Sequence, residues 1–306
     1  MNLPLIDGHF LIDNSALEQL KCPQAFFYNQ ILARVPISEA AGRNFGSTIH
    51  RGLEIRYHTK DLNQAKTAMQ EWLTANPQPE GDFRNFNHAC LVLDTYDQIY
   101  RKESFEILHT HAGKFIIEAS FALPFGQVDN IPILYCGKID LGIRDNLGIW
   151  SFDHKTAFQF GDTFTKQMSM DGGQRGYCWA LKQVTGQQPK GYIIDAIRIR
   201  RPKRGDEFRD IAPCDATDFQ RLPFQLTENE LNEWQEDVLS MLENIFFMAK
   251  RDKWPRQRWQ CVGKYGLCDY FDVCGSLPQH REQILNSGLF QDNVWTKGLK
   301  TESEKQ

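Results

Sequence analysis

The stretch GKIDLGIRDNLGIWSFDHKT, residues 137–156, decides the fold of this chain. Both of its halves are rich in apolar and β-branched residues, which is typical of strands. The turn residues DNLG, at 145–148, separate the halves, so the stretch predicts a β-hairpin. Three charged side chains lie on it among apolar neighbours: Asp140 on the first strand, and Asp153 and Lys155 on the second.

The charged residues of this hairpin predict a site for a hard metal ion. Asp153 and Lys155 are two residues apart and share one strand face, and Asp140 lies near Asp153 if the strands pair through the turn. Two carboxylates and the backbone carbonyl of His154 form an all-oxygen set that suits Mg²⁺ or Mn²⁺. Lys155 could orient or deprotonate an attacking water, or neutralise charge on a phosphate. The alternative is a surface hairpin with a salt-bridged Asp and Lys.

The elements around the hairpin predict an α/β chain with a mixed sheet and a crossover helix. Helices precede the hairpin, and a helix, a strand and a long helix follow it. Asn14 or Ser15 caps the first helix, which Pro23 bends or restarts, and the second is entered through Gly46 and Ser47. The predicted helices are 14–34, 45–59, 61–75, 86–105, 165–184 and 227–251, and the predicted strands are 115–125, 133–144, 149–156 and 191–200.

Size and composition indicate a globular protein. The 306 residues are 41% hydrophobic and 24% charged, and the net charge of -4 does not exclude a local basic groove. The start does not resemble a signal peptide and no apolar window is long enough to span a membrane, so we expect a cytoplasmic protein. We expect one domain over 1–285, with a helical part at 45–110, a core at 115–200, a helix and cysteine segment at 227–276, and a tail at 286–306.

The order of these motifs resembles that of the PD-(D/E)XK nuclease superfamily, in particular its RecB-like branch. Residues 137–156 resemble the family's Gly-x-x-Asp strand, turn and Asp-x-Lys strand. FGSTIH, 45–50, is similar to the upstream helix that carries a metal-site histidine, and QRGYCWAL, 174–181, is similar to the Gln-Tyr signature of the following helix. The resemblance implies an αβββαβ core, a mixed sheet flanked by helices, with a helical N-terminal insertion.

The resemblance also implies roles for individual residues. Asp140 and Asp153 would be metal ligands beside the His154 carbonyl, Lys155 would be the catalytic lysine, and His50 would complete the metal site. The remaining candidates are Gln174 and Tyr177, which would hold the DNA backbone or the lysine, and Glu118, a further candidate ligand. Gln174 and Tyr177 are three residues apart instead of the family's usual four, and both spacings keep one helix face. Each residue also has a structural alternative as a core or surface side chain.

Cysteine spacing predicts a second metal site. Three cysteines lie within CVGKYGLCDYFDVC, 261–274, and one lies upstream in KCPQAFFY. The resemblance implies a [4Fe–4S] cluster that clips a C-terminal extension to the start of the chain, held by Cys22, Cys261, Cys268 and Cys274. Six residues separate the first two late cysteines instead of two, so zinc remains an alternative, as do four buried thiols without metal. The other cysteines are interpreted as core or incidental: Cys90, Cys136, Cys178 and Cys214.

Two basic clusters are candidates for holding a single DNA strand, because cations bind phosphates and aromatic rings stack on unpaired bases. A solvated charged face is the alternative. The first cluster is Arg198, Arg200, Arg201, Lys203 and Arg204. The second is Lys250, Arg251, Lys253, Arg256 and Arg258, interleaved with Trp254 and Trp259.

These features favour a Mg²⁺- or Mn²⁺-dependent DNA exonuclease or end-processing nuclease of recombination and repair, bacterial or phage-encoded. We expect DNA ends or single-stranded DNA as its partner, with a helicase or single-strand annealing protein as a further partner and no membrane. The first alternative is a catalytically silent nuclease-fold module that binds DNA or a helicase. The second is a thiol-metal redox protein, which leaves the acidic hairpin without a role.

Overall fold

The computed structural model describes residues 3–37, 41–202, 213–263 and 266–292. The helices are α1 (Asn14–Gln19), α2 (Pro23–Phe26), α3 (Ala41–Thr59), α4 (Leu62–Ala75), α5 (Phe86–Tyr100), α6 (Asp162–Ser169), α7 (Gly172–Thr185), α8 (Glu228–Lys250), α9 (Phe271–Gly275) and α10 (Arg281–Leu285). The strands are β1 (Phe10–Ile12), β2 (Arg34–Pro36), β3 (Glu106–Ile107), β4 (Ile117–Val128), β5 (Ile131–Arg144), β6 (Ile149–Ala157), β7 (Gly191–Arg198), β8 (Phe219–Gln225), β9 (Val262–Gly263), β10 (Gly266–Leu267) and β11 (Phe290–Asp292). No described helix is long and apolar enough to cross a membrane.

The chain divides into two compact units. The first, called the thiol unit below because it contains the four cysteines of the predicted second site, comprises Met1–Ser38, Ser120–Gly137 and Asn232–Gln306. The second, the acidic unit, comprises Glu39–Ala119 and Lys138–Leu231. Strands β4 and β5 contribute residues to both. The single domain over 1–285 stays a prediction.

The sheet is mixed, with strand order β1-β5-β6-β7-β8, and β3 and β4 also pair with β5. Within the acidic unit, β5 is antiparallel to β6, β6 is parallel to β7 from Trp150↔Gly191 to Ala157↔Arg198, and β7 is antiparallel to β8. Parallel neighbours require a crossover connection, and α6 and α7 supply it. This is the predicted mixed sheet flanked by helices.

The hairpin of β5 and β6 is closed by one side chain. The Asp145 carboxylate accepts hydrogen bonds from the amides of Leu147 and Gly148 and from Trp150 Nε1, at 2.9, 3.1 and 2.9 Å. The ladder then runs from Arg144↔Ile149 to Leu141↔Phe152. This register confirms the predicted hairpin and brings Asp140 and Asp153 to the level just beyond the last ladder pair.

Helices α3, α4 and α5 pack together in the acidic unit and cover one face of its sheet. Gly52 lets α3 approach α4 closely, because a Cβ there would lie 2.4 Å from the Met69 sulfur. The buried cluster includes Ile49, Leu53, Val92, Tyr96, Leu141, Trp150 and Phe152. Burial of this apolar surface fixes α3, and with it His50, against the hairpin.

The thiol unit joins early and late segments of the chain. Strand β1 runs parallel to the first part of β5, and β2 pairs with β11 in antiparallel fashion. Tyr28 and Tyr270 pack in one buried cluster with the late strand's Phe290, and the Tyr270 hydroxyl donates to the Arg34 carbonyl at 2.7 Å. Strand β11 lies within the predicted tail, whose residues 293–306 fall outside the described ranges.

Several predicted element boundaries were wrong. The helix expected over 14–34 restarts at Pro23 as predicted, but it is not one continuous element: α1 ends at Gln19, and a π-helical turn follows α2 over Phe27–Ile31. Asp13 caps α1, in place of Asn14 or Ser15. Gly46 and Ser47 lie inside α3 instead of at its entry.

The helix expected over 165–184 is two helices, separated at Met170 and restarted by the Asp171 cap. Strands β1 and β8 were missed. Helix α8 begins as predicted, because the Thr227 hydroxyl accepts from the Glu230 amide and the Glu230 carboxylate accepts from the Thr227 amide.

Gly191→Ala should destabilise the protein far more than Gly161→Ala. Both glycines have positive φ, 146° and 157°, so both substitutions strain the backbone by about 1 kcal/mol. Only at Gly191 would the new Cβ meet the backbone, 1.9 Å from the Phe224 oxygen, which adds an overpacking cost of about 2 kcal/mol or more. Urea unfolding measures both. Equal losses of unfolding free energy in the two variants would show that β7 and β8 can move apart to accommodate the added methyl group.

Candidate functional site

One group of side chains in the described part of the chain has the geometry of a metal site. His50 on α3, Glu118 on β4 and Asp140 on β5 each bring a ligand atom within 4.8 Å of the others. His50 Nδ1 lies 3.2 Å from an Asp140 oxygen and 3.4 Å from a Glu118 oxygen, while His50 Nε2 donates to the His154 carbonyl at 2.8 Å. Three separate elements therefore converge on one small volume.

The strands separate at this group. Beyond Leu141↔Phe152, the amide of His154 donates to Asp140 Oδ2 at 3.0 Å, so a side chain of β5 takes the place of its backbone. The His154 carbonyl, bonded to His50, likewise faces the site. This opening between β5 and β6 gives backbone and carboxylate oxygens access to the same space.

Glu118 has an unusual backbone conformation. Its φ is 45°, in the left-handed region that non-glycine residues rarely occupy, and its side chain is only 7% exposed. It forms ion pairs with His50 and with Lys138. Strain of this kind persists where the surroundings hold the residue in place, and it concentrates at functional sites. The sequence favours Asp153 over Glu118 as a metal ligand, whereas the structure places Glu118 in the group with His50 and Asp140.

The carboxylates and the imidazole shift one another's pKa. Burial lowers the pKa of His50, but the charges of Asp140 and Glu118 outweigh it and raise the value to about 9. Burial and the neighbouring acids raise the pKa of Asp140 to about 6, even though His50 opposes the shift. Burial opposes ionisation of Glu118, but His50 and Lys138 lower its pKa to about 2. At neutral pH the imidazolium of His50 thus balances part of the negative charge.

Asp153 and Lys155 form a pair beside this group. Lys155 Nζ lies 2.8 Å from Asp153 Oδ2, and the Asp153 side chain is 4% exposed. Burial lowers the pKa of Lys155, but Asp153 and Asp140 outweigh it and raise the pKa above its usual range. Lys155 is therefore an ammonium at physiological pH, which favours charge stabilisation over proton abstraction as its role.

The residues of the Gln-Tyr signature lie on α7. Gln174 is 1% exposed, and its Oε1 has no hydrogen-bond partner among the described residues. Tyr177 lies close enough to Lys155 to contribute to its raised pKa. The three-residue spacing thus still brings Tyr177 toward the lysine.

The oxygen atoms of the site fit a divalent cation. Glu118 Oε2 and Asp153 Oδ2 are buried, and the ammonium groups of Lys138 and Lys155 are the partners that the structure gives them. Buried carboxylate oxygens are costly unless a hydrogen bond or a metal compensates them. Carboxylates, a carbonyl and one imidazole form a donor set that suits Mn²⁺ and tolerates Mg²⁺.

Asp195 was missed in the sequence, although it is a single acidic residue within the apolar strand GYIIDAIR. It is fully buried, and its carboxylate lies 2.8 Å from His154 Nδ1. The Tyr96 hydroxyl donates to the same oxygen at 2.6 Å, and Arg221 donates to the other oxygen at 3.3 Å. The side chain of His154 is therefore bonded to Asp195, with its ring 5.8 Å from the His50 ring between centroids, and its backbone makes the hydrogen bonds to His50 and Asp140.

The four predicted cluster cysteines converge within the thiol unit but not tightly. Burial raises the pKa of Cys274, and the thiols of Cys22, Cys261 and Cys268 add to the shift. Burial likewise raises the pKa of Cys268, and the thiols of Cys22 and Cys261 add to that shift. Among described residues, however, no three cysteine sulfurs lie within 4.8 Å of one another. Cys136 and Cys178 are buried, and Cys90 and Cys214 are half-buried, in agreement with a core or incidental role.

The basic clusters are less available than the sequence suggests. Arg198 and Arg200 both donate to the buried Asp218 at 2.6 Å, and Arg200 also pairs with Asp215 at 3.0 Å, so two carboxylates balance the two arginine charges. Trp254 is buried and stacks on Phe27 at 5.1 Å between ring centroids, so its predicted role in base stacking is wrong. Trp259 is 76% exposed and remains available. Lys203 and Arg204 lie outside the described ranges.

Comparison with known families agrees with this geometry. Residues 15–275 match the family model described as the PD-(D/E)XK nuclease superfamily. A search of curated proteins found no match. The matched range includes His50, Glu118, Asp140, Asp153 and Lys155.

Asp140→Asn should stabilise the metal-free protein at pH 8, whereas Asp195→Asn should destabilise it. The pKa of Asp140 in the folded protein is raised to about 6. Ionisation of this carboxyl above pH 6 therefore lowers the free energy of unfolding by up to about 3 kcal/mol, and this loss is absent below the ordinary pKa of the group. Asn keeps an oxygen for the His154 amide.

Asp195 provides the matched control. Burial raises its pKa, but His154 and Arg221 outweigh this and lower it, so its carboxylate stabilises the fold above the ordinary pKa and that stability is lost as pH falls. Loss of the Asp195 carboxylate should lower the free energy of unfolding by about 3 kcal/mol. Thermal unfolding in chelator measures both variants. Destabilisation of similar size in Asp140→Asn would make Asp140 a structural residue.

Proposed function

Because the chain belongs to the PD-(D/E)XK nuclease superfamily, we propose that it is a Mg²⁺- or Mn²⁺-dependent DNA nuclease of the RecB-like branch. We propose further that it acts as an exonuclease or end-processing enzyme in recombination or repair, encoded by a bacterium or a phage. The observation that carries this proposal is the convergence of His50, Glu118 and Asp140 beside the Asp153–Lys155 pair.

In the proposed site, five groups hold the metal ion. They are the imidazole of His50, the carboxylates of Glu118, Asp140 and Asp153, and the backbone carbonyl of His154. When bound, such an ion polarises a phosphodiester and lowers the pKa of a bound water. His50 would have to give up its proton to become a ligand, which its raised pKa makes dependent on pH.

Lys155 is the proposed catalytic lysine. Because its pKa is raised, it carries a full charge where negative charge develops on the phosphate. Asp153 holds its ammonium in place. Tyr177 and Gln174 are proposed to position the lysine or the DNA backbone, and the unsatisfied Oε1 of Gln174 supports a contact to a bound group.

DNA is the proposed partner, as single strands or ends, with a helicase or a single-strand annealing protein as a further partner. The exposed cations Arg251, Lys253 and Arg258 and the exposed ring of Trp259 lie in the thiol unit, and Arg201 lies in the acidic unit. Phosphate contacts from such cations are independent of sequence and weaken with salt.

The thiol unit is proposed to hold a [4Fe–4S] cluster on Cys22, Cys261, Cys268 and Cys274. Support for a metal site comes from the contribution of Cys22, Cys261 and Cys268 to the raised pKa of Cys274, although no three of these thiols in the described segments lie within 4.8 Å of one another. Zinc is the alternative to the cluster.

Wild-type protein should cut end-labelled DNA with Mn²⁺, and Lys155→Ala should lose activity by about 100- to 1,000-fold, because a preorganised cation near the developing charge is removed. DNA binding should be retained. Lys182→Ala is the matched control, because Lys182 lies on α7 and pairs with Glu228 of α8 instead of with a residue of the site. Gel analysis of linear and covalently closed single-stranded DNA measures cleavage, and an exonuclease spares the circles.

The outcomes of this assay separate the candidate functions. Full activity in excess chelator would overturn the metal mechanism. Absence of cleavage by the wild type together with DNA binding would favour a catalytically silent module. Cutting of closed circles would replace the exonuclease assignment with an endonuclease.

Cys268→Ser should lower the melting temperature and remove bound iron, because a metal cluster that joins distant segments contributes folding energy. Cys90→Ser is the control, since Cys90 is half-buried on α5 and outside this set. Metal analysis, acid-labile sulfide and visible absorption of protein purified without oxygen measure the cluster. Wild-type protein with neither iron nor zinc would contradict the proposal.

A further inference from the structure

The backbone and the side chain of His154, on β6, contact different groups. On the side of β5, its amide donates to Asp140 and its carbonyl accepts from His50, so both backbone groups contact the metal group. The β5–β6 ladder has ended two residues earlier, at Leu141↔Phe152. The backbone of His154 therefore depends on the opposite side of the strand for its position.

That opposite side is the parallel ladder to β7, where His154 is the register partner of Asp195. The two side chains share a face and meet at 2.8 Å, with 3% and 0% exposure. Tyr96 and Arg221 hold Asp195, and Arg221 in turn makes two hydrogen bonds to Glu103, at 2.7 and 2.9 Å. The carboxylate is thus fixed by a buried network before it contacts the imidazole.

We infer that Asp195 is a positioning residue for metal binding. It fixes the imidazole of His154, and the imidazole fixes the backbone that presents one carbonyl to the metal and holds the Asp140 carboxylate. The inference rests on the proposed function. Partners that orient ligands from behind set metal affinity, because the ligands must be held within a fraction of an ångström.

The test measures Mn²⁺ affinity in the absence of DNA. Asp195→Asn keeps the size of the side chain and removes the charge, and it should weaken Mn²⁺ binding by about 10- to 100-fold. Asp218→Asn is the matched control. Asp218 is equally buried and ion-paired, with Arg198 and Arg200, but it does not contact His154. Its loss should destabilise the fold and leave Mn²⁺ affinity unchanged. Electron paramagnetic resonance of free Mn²⁺ gives the affinities, and thermal unfolding gives the stabilities.

If Asp195→Asn does not fold, Tyr96→Phe provides a second variant for the same measurement. It removes one hydroxyl that donates to Asp195 and retains the ring, so Mn²⁺ affinity should fall by about 2- to 10-fold. Wild-type affinity in folded Asp195→Asn or Tyr96→Phe, or an equal loss in Asp218→Asn, would overturn the inference alone. Absence of Mn²⁺ binding by the wild type would overturn the proposed metal site and this inference with it.

Discussion

The hydrogen bond from the His154 amide to the Asp140 carboxylate is the interaction on which the candidate site depends. An amide inside a sheet must find an acceptor, and its ordinary partner would be the neighbouring backbone. Here a buried side chain accepts instead, so the strands separate without leaving an unsatisfied group. The separation exposes the next carbonyl and places it near His50 and Asp140.

A cluster of buried acids is costly, and the chain offsets that cost with cations from different elements. His50 comes from α3, Lys138 from β5 and Lys155 from β6, and each lies against a carboxylate. The compensation is incomplete, since the pKa of Asp140 remains raised. A divalent cation would complete it, because its charge would favour the ionised form of Asp140.

A second set of charges lies on the side of β6 that pairs with β7. Asp195, Arg221 and Glu103 are joined by direct hydrogen bonds, and the rings of Tyr96 and Tyr100 surround them. Such a network is expensive to bury unless every member is satisfied, and satisfied networks hold one arrangement firmly. Strand β6 is thereby held by β7 at the level where its ladder to β5 has ended.

The sequence by itself determined the hairpin of β5 and β6, the mixed sheet, and the identity of the acidic pair with its lysine, because strand alternation and turn chemistry are local. Local pattern could not reveal that Glu118 joins His50 in the tight group, since β4 and α3 are distant in sequence and only packing brings them together. Nor could it reveal Asp195, whose importance follows from the β6–β7 register, or the burial of Trp254. Strand β1 has three residues and β8 contains Pro223, so both carry little strand signal until the tertiary structure supplies the neighbours to which they bond.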